Sequence, residues 1–107
     1  MPGYLVQVSY TPEATAALLK KPQDRIPVVK KAAEKLGGSI KGAWLTFGDY
    51  DTMVIVDLPD NTAAAAFAMS ISGGGSCKSV KTTPLLSVEE GIAAMKKASG
   101  SGYKPVS

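Results

Sequence analysis

The order of the secondary-structure patterns constrains the fold of this chain more than any other feature of its sequence. Alternating apolar and polar residues, which are typical of strands, occur at residues 4–10, 39–47, 52–58 and 77–86. Helix-type spacing occupies the segments after the first and the third of these. Right-handed crossovers fold a βαββαβ order into a four-stranded antiparallel sheet with the two main helices on one face. We therefore predict a ferredoxin-like α+β fold with the first and third strands in the centre.

Prolines and glycines set the predicted limits of the first helical region. Thr11-Pro12 is an N-cap followed by a proline at the first helical position. Pro22 and Pro27 interrupt the run, so two helical pieces are expected to meet near residues 22–24. Gly37-Gly38 is expected to end the second piece.

The C-terminal part of the chain predicts an extra helix and a tail. Ser87-Val88-Glu89-Glu90 is a capping box that begins a short helix, with Ile92 and Met95 expected to face inward. Residues 1–98 are therefore predicted to form a single domain. Residues 99–107 are Gly- and Ser-rich and are expected to form a C-terminal tail.

The third strand is apolar on both of its faces, which predicts self-association. Met53 and Ile55 point to one side, and Val54 and Val56 point to the other. Helices on one side of the sheet leave the other side as an apolar patch larger than soluble monomers usually carry. We therefore predict a homodimer, or a higher oligomer of the same chain, in which a second sheet stacks on this open face. A pocket between the sheet and the helices is a second expectation.

The composition excludes several functional classes. The chain has no histidine, which removes Ser-His-Asp and Cys-His nucleophiles and most transition-metal sites, so no metal and no cofactor are predicted. Of its 12 basic residues only Arg25 is an arginine, so the net charge of +3 favours nucleic-acid binding only weakly. Cys77 is the only cysteine, and no apolar run approaches the ~20 residues that span a bilayer. The expected compartment is the cytoplasm.

The predicted turn Gly48-Asp49-Tyr50-Asp51 contains the candidate catalytic residues. Asp49 and Asp51 flank the Tyr50 phenol, and such a group is able to bind a cation or to act in acid–base chemistry on a substrate carbonyl. The alternative is a purely structural turn, in which the aspartates accept hydrogen bonds from nearby backbone N–H groups. We favour the structural interpretation at this stage.

Two further side chains are candidates for ligand binding. Arg25 is able to clamp an anionic group, or it forms an ion pair with Asp49, Asp51 or Glu34. Trp44 lines a ligand cavity, or it covers the core or the dimer seam. Cys77 lacks a strong base or positive field and is expected to be an inert thiol.

The segment from Gly42 to Asp51, which reads GAWLTFGDYD, resembles the signature of the GYD domain family. The resemblance includes Gly37-Gly38, Arg25, Asp57-Leu58-Pro59-Asp60 and the terminal Tyr103-Lys104-Pro105, and so it covers nearly the whole chain. It implies a dimeric α+β barrel in which two ferredoxin-like subunits press their sheets together. It assigns no reaction, because relatedness in fold does not transfer chemistry.

Two functions remain open from the sequence. The first is a homodimeric domain, without an assigned reaction, that binds a small apolar or anionic molecule between sheet and helices. The second is a cofactor-independent isomerase or oxygenase that acts on a small carbonyl compound through Tyr50, with Arg25 or an aspartate as its partner. An enclosed cavity reached by Tyr50 and Arg25 favours the second.

Overall fold

The computed structural model describes residues 1–106 and has an open antiparallel sheet with four helices. The strands lie in the order β2-β3-β1-β4, so β1 and β3 are central, and the predicted ferredoxin-like α+β fold is confirmed. The strands are β1 (Gly3–Tyr10), β2 (Ser39–Leu45), β3 (Thr52–Asp57) and β4 (Cys77–Leu85). The helices are α1 (Pro12–Lys20), α2 (Ile26–Lys35), α3 (Asn61–Gly73) and α4 (Val88–Ser99).

The hydrophobic core lies between the sheet and the helices on one of its faces. Alternate residues of β1 and β3 point into it, as period-2 patterning requires. Phe67 of α3 and Leu58 after β3 are fully buried there and are among the largest side chains of the core. The core residues are Tyr4, Val6, Val8, Ala33, Val54, Val56, Leu58, Ala64 and Phe67.

The predicted end of α2 at Gly37-Gly38 is confirmed, and its geometry has a clear cause. Gly37 has a φ of +85°, a left-handed conformation that glycine adopts without steric penalty. Its N–H donates to the carbonyl of Glu34, and the Gly38 N–H donates to the carbonyl of Ala33. These two bonds form a Schellman motif, which ends the helix and turns the chain into β2.

The prediction that side chains alternate strictly between the two faces along β2 is wrong, because the strand contains a bulge. Ile40 pairs with Val56, but the next partner of β3, Ile55, pairs with Gly42 rather than with Lys41. The extra residue shifts every later side chain to the other face. Ile40 therefore packs on the helix side, whereas Trp44 lies on the opposite side.

The face of the sheet opposite the helices is apolar at its centre. Leu5 of β1 pairs with Ile55 of β3, and Met53 of β3 pairs with Trp44 of β2. Leu5, Met53 and Ile55 are half-buried by their neighbours, and Trp44 is 52% exposed. We call these four residues the open-face patch.

The C-terminal helix does not pack inward as predicted. Its capping box forms, and the Ser87 hydrogen bonds lower the pKa of the Glu90 carboxyl. However, Ile92 and Met95 are 46% and 70% exposed, and no residue of α4 is buried. The radius of gyration is 16.9 Å, against about 13 Å for a compact domain of this length. The predicted inward orientation was wrong, because helical spacing identifies an apolar stripe but not the surface on which it packs.

Thr82→Val is expected to raise the free energy of unfolding by about 1 kcal/mol. The Thr82 hydroxyl is buried on the helix side of β4 and has no hydrogen-bond partner among residues 1–106. Valine has the same shape and removes this unpaired polar group. Urea unfolding measures the change, and Thr83→Val on the opposite face of the same strand serves as the control. A loss of stability in the Thr82 variant would contradict the expectation.

Candidate functional site

A cavity of about 910 Å³ lies between the helix side of the sheet and helices α1 and α2. Valines of the central strands form its floor. This part of the sheet is left partly uncovered because helix α1 buries none of its residues. Its walls are mainly apolar side chains of all three neighbouring helices. The apolar lining includes Val6, Val8, Leu18, Ile26, Val29, Val54 and Ile71.

Arg25 lies at the rim of this cavity and has no carboxylate partner in the described part of the chain. It occupies the position before α2, in the break between the two helical pieces, where its side chain is exposed. The ion pair with Asp49, Asp51 or Glu34 is not formed, because the one ion pair within residues 1–106 joins Lys41 and Asp57. The guanidinium is therefore a positive charge at the rim of an apolar cavity.

Asp51 also lines the cavity, and its position is fixed by the backbone. One carboxylate oxygen accepts the N–H of Tyr10 at 2.8 Å, while the Asp51 N–H donates to the carbonyl of Val8 at 2.8 Å. These bonds attach the β2–β3 hairpin to the end of β1. Only one of the two carboxylate oxygens takes part, so the side chain retains acceptor capacity toward a bound molecule.

Three more polar groups lie at the same end of the cavity. The Tyr10 hydroxyl and the Thr52 hydroxyl are 3.1 Å apart, and both residues line the cavity together with Cys77. Burial raises the pKa of the Cys77 thiol, and the negative charge of Asp51 raises it further. The cavity therefore has an apolar body, with hydroxyls, a carboxylate and a neutral thiol at one end.

Alkylation of Cys77 is expected to be slow at neutral pH and faster in Asp51→Asn. The thiolate is the reactive form, and removing the nearby charge moves the thiol pKa back toward its usual value. The asparagine carbonyl still accepts the Tyr10 N–H, so the hairpin should remain attached. The rate of iodoacetamide labelling measures the effect. An unchanged or slower rate in the variant would show that Asp51 does not act on the thiol.

Tyr50 and Asp49, the other turn candidates, do not line the cavity. Tyr50 is half-buried, and its backbone carbonyl accepts a hydrogen bond from the Thr46 hydroxyl at 2.7 Å. Asp49 is exposed, beside Gly48 with a φ of +125°. The Thr46 N–H donates to the Asp51 carbonyl, which closes the turn. A catalytic role for Tyr50 or Asp49 stays a prediction. The structure places neither side chain in the lining of the cavity.

Trp44 lies on the other face of the sheet from the cavity. A side chain at Gly42 would approach the Trp44 ring to 2.5 Å, so the indole extends across this glycine. Of the two sequence-based interpretations, this geometry favours cover at a subunit seam over a ligand-binding role in the cavity.

The sequence did not point to Tyr10 and Thr52 as site residues. Both occupy regular strand positions that alternate with their neighbours, so their patterns look like ordinary core patterns. The signal that could have identified Tyr10 and Thr52 is that each is a polar residue on the core side at the end of a central strand.

Two further properties of residues 1–106 bear on the kind of site. No group of three or more Cys, Asp and Glu side chains within residues 1–106 lies close enough together to hold a metal ion. None of the helices in that range combines the length and the apolar character needed to cross a bilayer.

Comparisons with known proteins agree with this architecture. A family model described as the GYD domain matches residues 4–95. No curated protein matches the sequence closely enough to count as a relative.

Two solved structures share the fold at low sequence identity. The 5-chloro-2-hydroxyhydroquinone dehydrochlorinase TftG from Burkholderia phenoliruptrix AC1100, in complex with 2,5-dihydroxybenzoquinone, has a TM-score of 0.56 and 10% identity over 81% of this chain and 96% of that chain. FFRP-DM1 has a TM-score of 0.51 and 16% identity over 80% of this chain and 100% of that chain. The chain therefore shares the ferredoxin-like α+β fold of these two structures.

Proposed function

Since this chain belongs to the GYD domain family, we propose that it is a homodimer whose sheet–helix cavity binds a small, mainly apolar molecule with an anionic group. The observation that carries the ligand proposal is Arg25, whose guanidinium has no carboxylate partner within residues 1–106 and lies at the rim of a largely apolar cavity. The open-face patch supports the dimer.

The dimer would bury apolar surface that one chain leaves in water. The patch places Leu5, Ile55, Met53 and Trp44 side by side on three neighbouring strands. Burial of apolar surface contributes about 25 cal/mol per Å², so a second sheet stacked here gains free energy over the monomer. The fold type of the neighbours is consistent with the same arrangement.

The cavity suits a small organic molecule rather than a macromolecule. Its volume of about 910 Å³ lies within the ~300–1,000 Å³ that is usual for small-molecule sites. The apolar walls would bury the body of the ligand. Arg25 would bind its anionic group through charge-assisted hydrogen bonds, and Asp51 or Tyr10 would bind a hydroxyl at the polar end.

Arg25→Gln is expected to weaken binding of an aromatic or medium-chain carboxylic acid by roughly 10- to 100-fold, the usual worth of a charge-assisted hydrogen bond. Calorimetry with a panel of such acids and their neutral amides measures this. The matched control is Lys30→Gln, which removes the same charge from an exposed position of α2 outside the cavity. Equal binding of acids and amides, or an equal loss in both variants, would contradict the role of Arg25.

A second candidate function is proton transfer on a small carbonyl compound. It is favoured by the unused oxygen of Asp51 in the cavity, beside the Tyr10 hydroxyl. A general base must lie within hydrogen-bond reach of the proton that it removes, and Asp51 lines the cavity in which such a ligand would bind. The test is deuterium exchange into carbonyl compounds and quinones. Exchange that Asp51→Asn abolishes would support an isomerase, and no exchange with any compound would favour binding alone.

We further propose that residues 1–98 are the folded unit, with 99–107 as a tail, and that the protein acts in the cytoplasm. Tyr103 in the tail is 76% exposed, which supports this division. Cys77 is the only cysteine of the sequence, so no disulfide forms within the chain, as suits a reducing compartment.

A further inference from the structure

The lining of the sheet–helix cavity includes a half-buried carboxylate that has no positive partner within residues 1–106. One oxygen of Asp51 accepts the Tyr10 N–H, and the other takes part in no hydrogen bond in that range. The ion pair of these residues joins Lys41 and Asp57, so none of their basic side chains pairs with Asp51. A carboxylate withdrawn from water is unfavourable unless a positive group compensates it. Asp51 is therefore suited to bind a cationic group.

The strands contribute to this cavity from one end of the sheet. Tyr10, at the end of β1, pairs with Cys77 at the start of β4. Thr52, at the start of β3, pairs with Leu45 at the end of β2. All four residues line the cavity. Asp51 immediately precedes Thr52, so it lies at this same end.

The direction of α2 places Arg25 over that end as well. Gly38, just after α2, lies against the Asp57 carbonyl at the far end of β3. The ten residues of α2 rise about 15 Å, and the six residues of β3 extend about 20 Å. The start of α2 therefore lies over the start of β3. The cavity lining agrees, because it takes Ile26 from the first turn of α2 and Leu45 from the end of β2.

One end of the cavity thus has a positive side chain on the helix side and a negative one on the sheet side. Arg25 and Asp51 form no ion pair with each other. Asp24 also lines the cavity, but it is exposed and accepts the Ile26 N–H at 2.9 Å, so water and the start of α2 stabilise its charge. A molecule with both charges close together would pair with Arg25 and Asp51 at the same time.

The cavity floor beyond these charges is apolar. Val54 lies three residues along β3 from Asp51 and pairs with Val6 of β1, and both valines are buried. At about 3.4 Å per residue, the apolar floor extends roughly 10 Å inward from the charged end. This depth accommodates a side chain of the size of leucine or phenylalanine, with its charged groups at the outer end.

We propose that the cavity binds an α-amino acid with an apolar side chain, an inference that rests on the small-molecule site proposed above. The carboxylate of the amino acid pairs with Arg25, its ammonium group pairs with the free oxygen of Asp51, and its side chain packs on Val6 and Val54. Both charged groups of an α-amino acid are bonded to one carbon, which matches two opposite charges at one end of an apolar cavity. A simple carboxylic acid leaves Asp51 unpaired, and a dicarboxylic acid places a second negative charge near it.

Three ligands with the same apolar body separate the contributions of the two charges. Phenylalanine has both groups, phenylpropanoate lacks the ammonium group, and phenylethylamine lacks the carboxylate. We expect phenylalanine to bind about 10-fold more tightly, or more, than either of the other two, which is the usual effect of a charge-assisted hydrogen bond. Calorimetry with the wild-type protein at neutral pH measures all three affinities.

Asp51→Asn should remove the advantage of phenylalanine over phenylpropanoate. The asparagine carbonyl still accepts the Tyr10 N–H, and urea unfolding verifies that the variant folds. The matched control is Asp49→Asn, which removes the same charge from an exposed position of the same turn outside the cavity and should keep the advantage. An advantage that is lost in Asp24→Asn and kept in Asp51→Asn would overturn the proposal.

The wild-type affinities alone distinguish this proposal from the ligand site on which it rests. Phenylpropanoate that binds as tightly as phenylalanine overturns the amino-acid proposal and leaves the site for carboxylic acids intact. Phenylethylamine that binds as tightly as phenylalanine shows that Arg25 does not pair with the carboxylate, and it overturns the proposal too. Absence of binding by phenylalanine and by every carboxylic acid refutes the ligand site itself, and the amino-acid proposal with it.

Discussion

Gly38→Ala is expected to lower the free energy of unfolding by at least about 2–3 kcal/mol. A β-carbon at this position would lie 2.0 Å from the carbonyl oxygen of Asp57 and 2.6 Å from a methyl group of Leu58. The first contact is with backbone, so it cannot be relieved by a rotamer change. The chain would have to move α2 away from the end of β3, and Leu58 is part of the core.

The control for this prediction is Gly73→Ala at the end of α3. Beyond its chain neighbours and the adjacent helix backbone, no described atom lies within 4 Å of a β-carbon there, and the backbone is not left-handed. Alanine should therefore be neutral or stabilise by up to about 1 kcal/mol. Urea unfolding of both variants measures the difference. Similar stabilities would show that the contact between Gly38 and Asp57 is looser than the structure has it.

The same displacement should reach the cavity, because α2 supplies part of its wall. Ile26 and Val29 line the cavity from α2, and Arg25 precedes that helix. If Gly38→Ala folds at all, we expect weaker binding of carboxylic acids than in wild type. The close approach of Gly38 to the Asp57 backbone therefore affects the position of α2 and, through α2, the shape of the cavity.

Local signals predicted the helix limits well. Thr11, Asp60 and Ser87 each accept a backbone N–H at the start of a helix, and these caps depend only on residues a few positions away. The Schellman motif at Gly37-Gly38 is local in the same way. Helix caps and helix ends of this kind were predictable because the residue type at the position, together with residues a few positions away, determines the local backbone conformation.

Features that depend on a partner element were not predictable in the same way. The bulge at Lys41 reflects the registers of β2 and β3 together, whereas strict alternation along β2 alone would place Ile40 and Trp44 on the same face. Helix α4 was expected to face inward because its stripe resembles any amphipathic helix. The pattern identifies an apolar face but does not say which chain covers it.

The candidate site was predicted in part for the same reason. Arg25 was identified as the only arginine, and Asp51 as part of a turn, and both line the cavity. Tyr50 and Trp44 were chosen as large polar or aromatic groups in the signature segment, but neither lines the cavity. The end of β2 at Leu45 and the bulge before it decide those orientations, and neither can be inferred from residue type.

The second large effect is expected for Ile55→Asp, which should raise the dimer dissociation constant by roughly 100- to 1,000-fold. Ile55 lies at the centre of the open-face patch, between Leu5 and Gly42 on its two neighbouring strands. In a stacked dimer the two-fold axis would bring two carboxylates into an apolar interface, where they have no partners. In the monomer the same side chain remains half-exposed and solvated, so the fold should survive.

Sedimentation equilibrium measures the change, and Leu19→Asp is the matched control. Leu19 is 77% exposed on α1 and does not line the cavity, so its variant should keep the wild-type mass. Since the cavity lies on the helix side of the sheet, opposite the face that carries Ile55, monomeric Ile55→Asp should still bind carboxylic acids through Arg25. Monomers that bind would separate the dimer from the ligand site. A wild-type mass for Ile55→Asp would instead mean that the sheets do not stack through the open-face patch.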